Sequence, residues 1–173
     1  MNKDDIIKLV LANLGKDLIN DPMEEKDKSI IKIYYNLLKR EAIINTRPDF
    51  ALTYISLQKS ATKDDEYLLP KDFLLKDSAT VNGRILLNNI YKVNTKTNLN
   101  INMTYFADVD ESYYTPTFVK YLALSIAVDI AHIYERTESS VANLILRRDE
   151  AYTNLRSANA VHNEYLSNFI TFY

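Results

Sequence analysis

The chain has 173 residues, 47% hydrophobic and 25% charged, and this length favours one globular domain with its own core. A formal net charge of −2 disfavours tight binding to a phosphate backbone. The absence of cysteine excludes disulfide scaffolds, thiol catalysis and cysteine-ligated metals, and two histidines leave little for a metal site. The two glycines lie too far apart for a phosphate-binding glycine loop. We therefore expect a helical protein of a reducing compartment, with no cofactor.

The first residues are acidic, whereas a signal peptide begins with basic residues and an apolar run. No run of about 18 apolar residues follows elsewhere. We expect neither a secretion signal nor a membrane span.

Two helices are predicted in the first third of the chain. Asp4 and Asp5 suit a helix start and Gly15 suits a helix end, which predicts a short first helix. Apolar residues then recur at offsets of three and four, which predicts a second helix from Met23 to Ile44. The stretch from Phe50 to Ala61 has no clean period and predicts no particular element.

A change of pattern between Glu66 and Asp108 predicts a small β insertion. Apolar and polar residues alternate from Leu99 to Tyr105, as in a strand with one buried face. The segment from Val81 to Arg84 predicts a turn between two strands, and the segment from Lys92 to Asn98 predicts a polar loop.

Two long helices are predicted to close the chain. Thr115 is a suitable N-cap with Pro116 at the first helical position, and the helix that follows is apolar nearly all round. A last helix is expected from about Glu138. The predicted fold class is mainly α, a helical bundle of about four helices in a single domain, 1–173, with a small β insertion at 66–108.

Four polar residues of these helices are candidates for contacts between subunits. Asp129 and His132 lie three positions apart, and a satisfied buried pair or a subunit contact is favoured over a catalytic pair because no nucleophile lies near them. Arg147 and Arg148 form a short basic stripe that acidic neighbours interrupt. A solvated face or a subunit salt bridge is therefore favoured over a DNA contact.

Other patterns point to no catalytic or metal site. The acidic run Asp64-Asp65-Glu66 lacks the spacing of a calcium loop, and Ser125 has no nucleophile elbow around it. We predict that the protein is not an enzyme.

The C-terminal residues Phe169, Ile170, Phe172 and Tyr173 are a candidate partner interface. Three aromatic rings in a five-residue terminus are a large apolar surface to leave in water. The alternative is that this terminus folds back onto its own helices.

A series of short motifs runs through the chain in a fixed order: Tyr67-Leu68-Leu69-Pro70-x-Asp72-Phe73, Val81-x-Gly83-Arg84, Tyr105 with Asp108-Val109, Pro116-x-Phe118, and Leu122-Ala123-x-x-Ile126-Ala127. In this order the series resembles the head-to-tail adaptor family of short-tailed bacteriophages, the tail tubular protein A type. The resemblance extends from about Ile6 to Ala160.

The resemblance implies a structural virion protein. Similar proteins form a homo-oligomeric ring, usually a dodecamer, under the portal protein of the capsid. The ring extends the DNA channel and offers the attachment surface for the tail nozzle or tubular protein. The resemblance also implies that the protein assembles in the host cytoplasm and ends in the tail or neck of the virion. It further implies transient contact with passing genomic DNA and no membrane partner.

Two other functions remain open at this point. One is a tail-associated cell-wall hydrolase, and the other is a cellular helical interaction module with no role in a virion.

Overall fold

The computed structural model describes residues 2–19, 23–61, 63–87, 89–94 and 100–170, with side chains as far as residue 158. These residues form four α-helices, α1 (Lys3–Asn13), α2 (Glu25–Thr46), α3 (Pro116–Ile130) and α4 (Glu138–Ile170). They also form six strands, β1 (Leu52–Lys59), β2 (Glu66–Leu68), β3 (Phe73–Ala79), β4 (Gly83–Leu86), β5 (Ile90–Val93) and β6 (Ile101–Ala107). The chain divides into a helical unit, Met1–Phe50 with Asp110–Tyr173, and a β unit, Ala51–Val109.

Local capping fixes both ends of α1. The Asn2 side chain accepts a 2.9 Å hydrogen bond from the amide of Asp5, and the Asp5 carboxylate accepts one of 3.1 Å from the amide of Asn2. Gly15 follows the helix with φ of +75°, and the Lys16 amide donates back to the carbonyl of Leu11. This left-handed ending satisfies the last carbonyls, and it confirms the predicted end of the first helix.

The start of α3 also follows its sequence signal. The Thr115 hydroxyl accepts a 3.3 Å hydrogen bond from the amide of Phe118, and Pro116 occupies the first turn. Proline fits there because its missing N–H has no helical partner to lose.

Helix α3 is the centre of the helical unit, as predicted. It packs against α1, α2 and α4. The core of this unit contains fully buried side chains from all four helices, among them Ile6, Ile7, Ile31, Tyr35, Phe118, Leu122, Ile126 and Leu155.

Among the described residues, the segment Pro116–Tyr134 is long and apolar enough to cross a membrane. More than half of it is buried inside the fold. We interpret it as the core helix of the unit, because a core helix has the same length and composition.

The β unit is one antiparallel sheet with the strand order β3-β6-β1-β2-β5-β4. Strands β3 and β4 follow one another in the chain, yet they are the two edges of the sheet. Only residues 80–82 connect them, and three residues with their flanks span at most about 14 Å. The sheet must therefore curl so that its edges approach each other.

The alternation predicted near residue 101 is confirmed in β6. Ile101, Met103 and Tyr105 are buried and their neighbours Asn102 and Thr104 are partly exposed. These three side chains join Leu57, Tyr67, Leu69, Tyr91 and Val93 in the core of the β unit.

The predicted fold class was wrong, because the protein is an α+β fold rather than a mainly α bundle with a small insertion. The sheet begins at Leu52, ahead of the predicted start at Glu66. The turn predicted near Val81 does lie between two strands, β3 and β4, although these strands are not paired with each other. The predicted loop starting at Lys92 overlaps β5, which ends at Val93.

Candidate functional site

A polar groove of about 370 Å³ lies between α2, α3 and α4. Asp129 from α3, Glu41 from α2, and Arg148 and Asp149 from α4 contribute its charged groups. The rings of Tyr121 and Tyr152 form part of its wall, with centroids 5.6 Å apart. The groove therefore combines three carboxylates, one guanidinium and two aromatic rings.

The electrostatics of the groove disfavour the charged form of Asp129. Its partial burial raises the pKa of Asp129, and the negative charge of Glu41 raises it further. Arg148 and His132 act in the opposite direction and only partly offset these two effects. A cationic group entering the groove would lower the energy of both carboxylates.

Asp129 and His132 do not form a buried pair. Both residues are exposed, and no hydrogen bond joins them within the described part of the chain. The sequence placed them on the most apolar helix, but they lie at its end and in the 3₁₀ turn Ala131–Tyr134 that follows it. The subunit-contact interpretation of both residues stays a prediction.

Arg147 and Arg148 point to different elements of the helical unit. Arg147 donates a 2.9 Å hydrogen bond to the side chain of Asn13 at the end of α1. Arg148 donates from Nε and Nη2 to one oxygen of Asp149 and also lines the groove. They therefore do not form one continuous basic stripe.

A buried carboxylate that the sequence did not single out holds three segments together. Asp27 is 5% exposed and accepts hydrogen bonds from Lys16 and from the hydroxyl of Tyr134 at 2.9 Å. It also accepts one from the amide of Glu24, as in a capping box. The capping pattern at residues 24 and 27 is visible in the sequence, whereas the partners at residues 16 and 134 are set by packing.

Helix α2 has a second apolar face, which points to solvent. Ile33 is 75% and Leu37 is 66% exposed, while Ile30 and Ile44 are half-buried. Together with two exposed basic residues they form what we call the α2 seam, the residues Lys26, Ile30, Ile33, Leu37, Arg40 and Ile44. The spacing alternates between four and three, which is the spacing of a helix that packs against another helix. Sequence reasoning merged this face with the core face of α2.

Several residues of the motif series between Tyr67 and Val109 have structural roles in the β unit. Tyr67 is buried in its core. The Tyr105 hydroxyl donates a 3.2 Å hydrogen bond to Asp72, and its ring stacks on Phe73 at 5.7 Å. At Gly83 an added Cβ would lie 2.4 Å from a backbone oxygen, so this position accepts glycine alone.

The predicted C-terminal interface lies outside the described residues or side chains. Phe169 and Ile170 belong to the end of α4, and their side chains are beyond residue 158. Phe172 and Tyr173 follow the last described residue. Their role as a partner interface stays a prediction.

The described residues contain no group of three or more His, Asp or Glu residues that could hold a metal ion. The Ser125 hydroxyl donates a 2.9 Å hydrogen bond to the carbonyl of Tyr121 within α3. Ser125 lines the groove together with Asp129, and its hydroxyl is engaged by the backbone of its own helix. The groove therefore offers charge and aromatic surface for binding.

Comparison of the chain with protein-family models gives no match. Comparison with curated proteins gives no match either. The residues and geometry described above are therefore what an assignment of function rests on.

Proposed function

We propose that this chain is a structural virion protein, the head-to-tail adaptor of a short-tailed bacteriophage. Copies of the chain form a ring under the portal protein, extend the DNA channel and provide the surface to which the tail attaches. The ring has twelve subunits in the family that the chain resembles.

The observation that carries the proposal is the apolar seam on the solvent side of α2. Isolated exposed aliphatic residues are common, but Ile33 and Leu37 lie one turn apart on a face with two more isoleucines. A monomer gains nothing from such a face. A subunit that is covered by neighbours gains burial of about 1.5–3 kcal/mol for each large aliphatic side chain.

The ordered motifs add support of a different kind. Tyr67, Asp72, Gly83 and Tyr105 contribute to the packing and hydrogen bonding of the curled sheet, so part of the motif series has a structural role in the β unit. The net charge of −2 suits a channel through which DNA slides without being held.

The experiment is reconstitution of the full chain with the portal protein encoded by the same genome. We expect electron microscopy to show a ring of the chain on the portal axis. The control is the chain alone at the same concentration. A monomer bound away from the axis, or no binding to portal, would contradict the proposal.

Two further assays address the other functions. Digestion of peptidoglycan in a zymogram would indicate the cell-wall hydrolase. A position among cellular genes, with no terminase, portal or capsid gene nearby, would indicate the cellular interaction module.

A further inference from the structure

The solvent face of α4 has chemistry complementary to the α2 seam. Exposed residues recur there at spacings of three and four, and we call them the α4 face: Ala142, Leu146, Glu150, Thr153 and Ser157. They lie on the side of α4 opposite its buried residues Leu144, Ala151 and Leu155. A shallow groove of about 520 Å³ runs along this face beside Leu146, Glu150 and Thr153.

The two faces match in shape. The α2 seam presents bulky aliphatic side chains, whereas the α4 face presents alanine, threonine and serine around one leucine, Leu146. Small side chains let a second helix approach closely, so the large side chains of one face fill the space that the other leaves.

The two faces also match in charge. Arg40 lies one turn from Leu37 on the seam, and Glu150 lies one turn from Leu146 on the α4 face. Each charge therefore adjoins an exposed leucine of its own helix. If the helices run parallel with the two leucines together, the guanidinium lies beside the carboxylate. If they run antiparallel, the same pairing of charges places Leu37 opposite Thr153.

We propose that the α2 seam of one copy packs against the α4 face of the next copy, with Arg40 opposite Glu150. The inference rests on the ring assembly proposed above and names the surfaces that form it. Because the two surfaces differ, every copy uses one surface for each neighbour. Such a head-to-tail contact closes into a ring or extends into a filament, and it does not end at a dimer.

The size of the contact explains why a template is needed. The stretch from Ile30 to Ile44 is about 21 Å long at 1.5 Å per residue, and a helix is roughly 10 Å wide. This strip is well below the roughly 800 Å² per partner of a stable interface. Isolated copies should therefore associate weakly, and portal should concentrate and align them.

The test is cysteine cross-linking, for which the chain is well suited because it has no cysteine of its own. One variant combines Leu37→Cys with Leu146→Cys, and a second combines Leu37→Cys with Thr153→Cys. Each is oxidised at increasing concentration, with and without portal. We expect one of the two to give a ladder of covalent oligomers. The first variant forms a disulfide between copies if the two helices run parallel, and the second does so if they run antiparallel.

The matched control combines Lys32→Cys with Ala158→Cys, which are exposed positions on the same two helices, each about 120° around its helix from the centre of the proposed face. It should give no ladder. Arg40→Glu and Glu150→Arg should each reduce the ladder at least tenfold, and combining them should restore it. The absence of a ladder from both pairs, or an equal ladder from the control, would overturn the interface.

The results separate this inference from the proposed function. A ring on portal without specific cross-links overturns the interface and leaves the adaptor role intact. A specific ladder without any ring on portal supports the interface and contradicts the adaptor role. Failure of both overturns both.

Discussion

The hydroxyl of Tyr134 donates a 2.9 Å hydrogen bond to Oδ1 of Asp27, 107 positions earlier in the chain. Lys16 donates to the other oxygen of the same carboxylate. The segment after α1, the first turn of α2 and the turn after α3 therefore meet at one buried charge.

Removing this hydroxyl tests how much the junction stabilises the helical unit. We expect Tyr134→Phe to lower the free energy of unfolding by about 1.5–3 kcal/mol, the usual range for a hydrogen bond to a charged group. Denaturant titration measures it. Tyr113→Phe is the control, because the Tyr113 side chain is 66% exposed and should change little. Equal effects in the two variants would contradict the prediction.

The same carboxylate predicts how stability depends on pH. Burial alone would raise the pKa of Asp27, but hydrogen bonds from Lys16, Tyr134 and the amide of Glu24 outweigh it and hold the pKa below its ordinary value of 3.8. The unfolded chain therefore takes up the proton first as the pH falls. The stability from this ionised group is fully present above the ordinary value and is lost as the pH falls through the folded value.

The corresponding experiment compares the wild-type chain with Asp27→Asn between pH 7 and pH 3. We expect a difference of about 3 kcal/mol at pH 7, because removal of one partner from a buried ion pair is strongly destabilising. This difference should begin to shrink toward pH 3, because the unfolded wild-type chain takes up a proton on Asp27 before the folded chain does. A difference that does not vary with pH would show that the charge of Asp27 is not what stabilises the junction.

The close packing around Gly83 predicts that replacing this glycine with any larger residue destabilises the β unit. A Cβ at this position would lie 2.4 Å from the carbonyl oxygen of Lys92 and 2.9 Å from the ring of Tyr91. Strand β4 would have to move away from β5, so Gly83→Ala should destabilise the β unit by about 1–3 kcal/mol. The neighbouring exposed residue supplies the control, Asn82→Ala. Thermal unfolding followed by circular dichroism should separate the two variants, and matching curves would refute the prediction.

The groove residue Asp129 predicts a gain rather than a loss of stability. Since burial and Glu41 raise its pKa, the ionised form is disfavoured at neutral pH, and stability associated with this group is greater at lower pH. Asp129→Asn should leave the free energy of unfolding unchanged or raise it by up to about 0.5 kcal/mol. The gain should be smaller in a Glu41→Gln background, where burial of Asp129 remains but the neighbouring negative charge is absent. A clear loss of stability would mean that the carboxylate has a structural partner.

The apolar C-terminus is predicted to contribute to portal binding and not to the stability of the isolated subunit. Deletion of residues 168–173 should leave the melting temperature of the isolated subunit almost unchanged and abolish its binding to portal. This result is expected if Phe169, Ile170, Phe172 and Tyr173 act as an anchor on a partner, as the sequence predicts. Replacing the polar pair Ser167 and Asn168 with alanine is the control. A large fall in melting temperature on deletion would favour a terminus that folds back onto the helices.

Local signals predicted the ends of helices better than they predicted the sheet. Gly15 and Thr115 determine helix ends through hydrogen bonds within a few residues, which a sequence displays directly. Strand β1 escaped prediction because Tyr54 is 65% exposed, so the apolar residues of that strand do not mark a single buried face. Strand β5 was partly taken for a loop because Lys92 lies between the buried residues Tyr91 and Val93.

The candidate surfaces were also hidden in the sequence, because they depend on how the helices pack. Ile30 and Leu37 lie about 100° around α2 from Ile31 and Leu38, but in the sequence the four residues belong to one dense apolar run. Only the packing of Ile31 and Leu38 into the core shows that Ile30 and Leu37 lie elsewhere. The pairing of Asp27 with Tyr134 is equally hidden, because it depends on how α2 and α3 pack.

Leu52 and Phe106 are register partners across β1 and β6, next to the points where the chain enters and leaves the β unit. The Cα atoms of such partners are about 5 Å apart. The segment that interrupts the helical unit therefore begins and ends at neighbouring positions, and the number of residues between these positions does not change their separation. Such an arrangement tolerates exchange of the whole segment. In evolution, one lineage could acquire a different sheet between these two points and keep the surrounding helices unchanged.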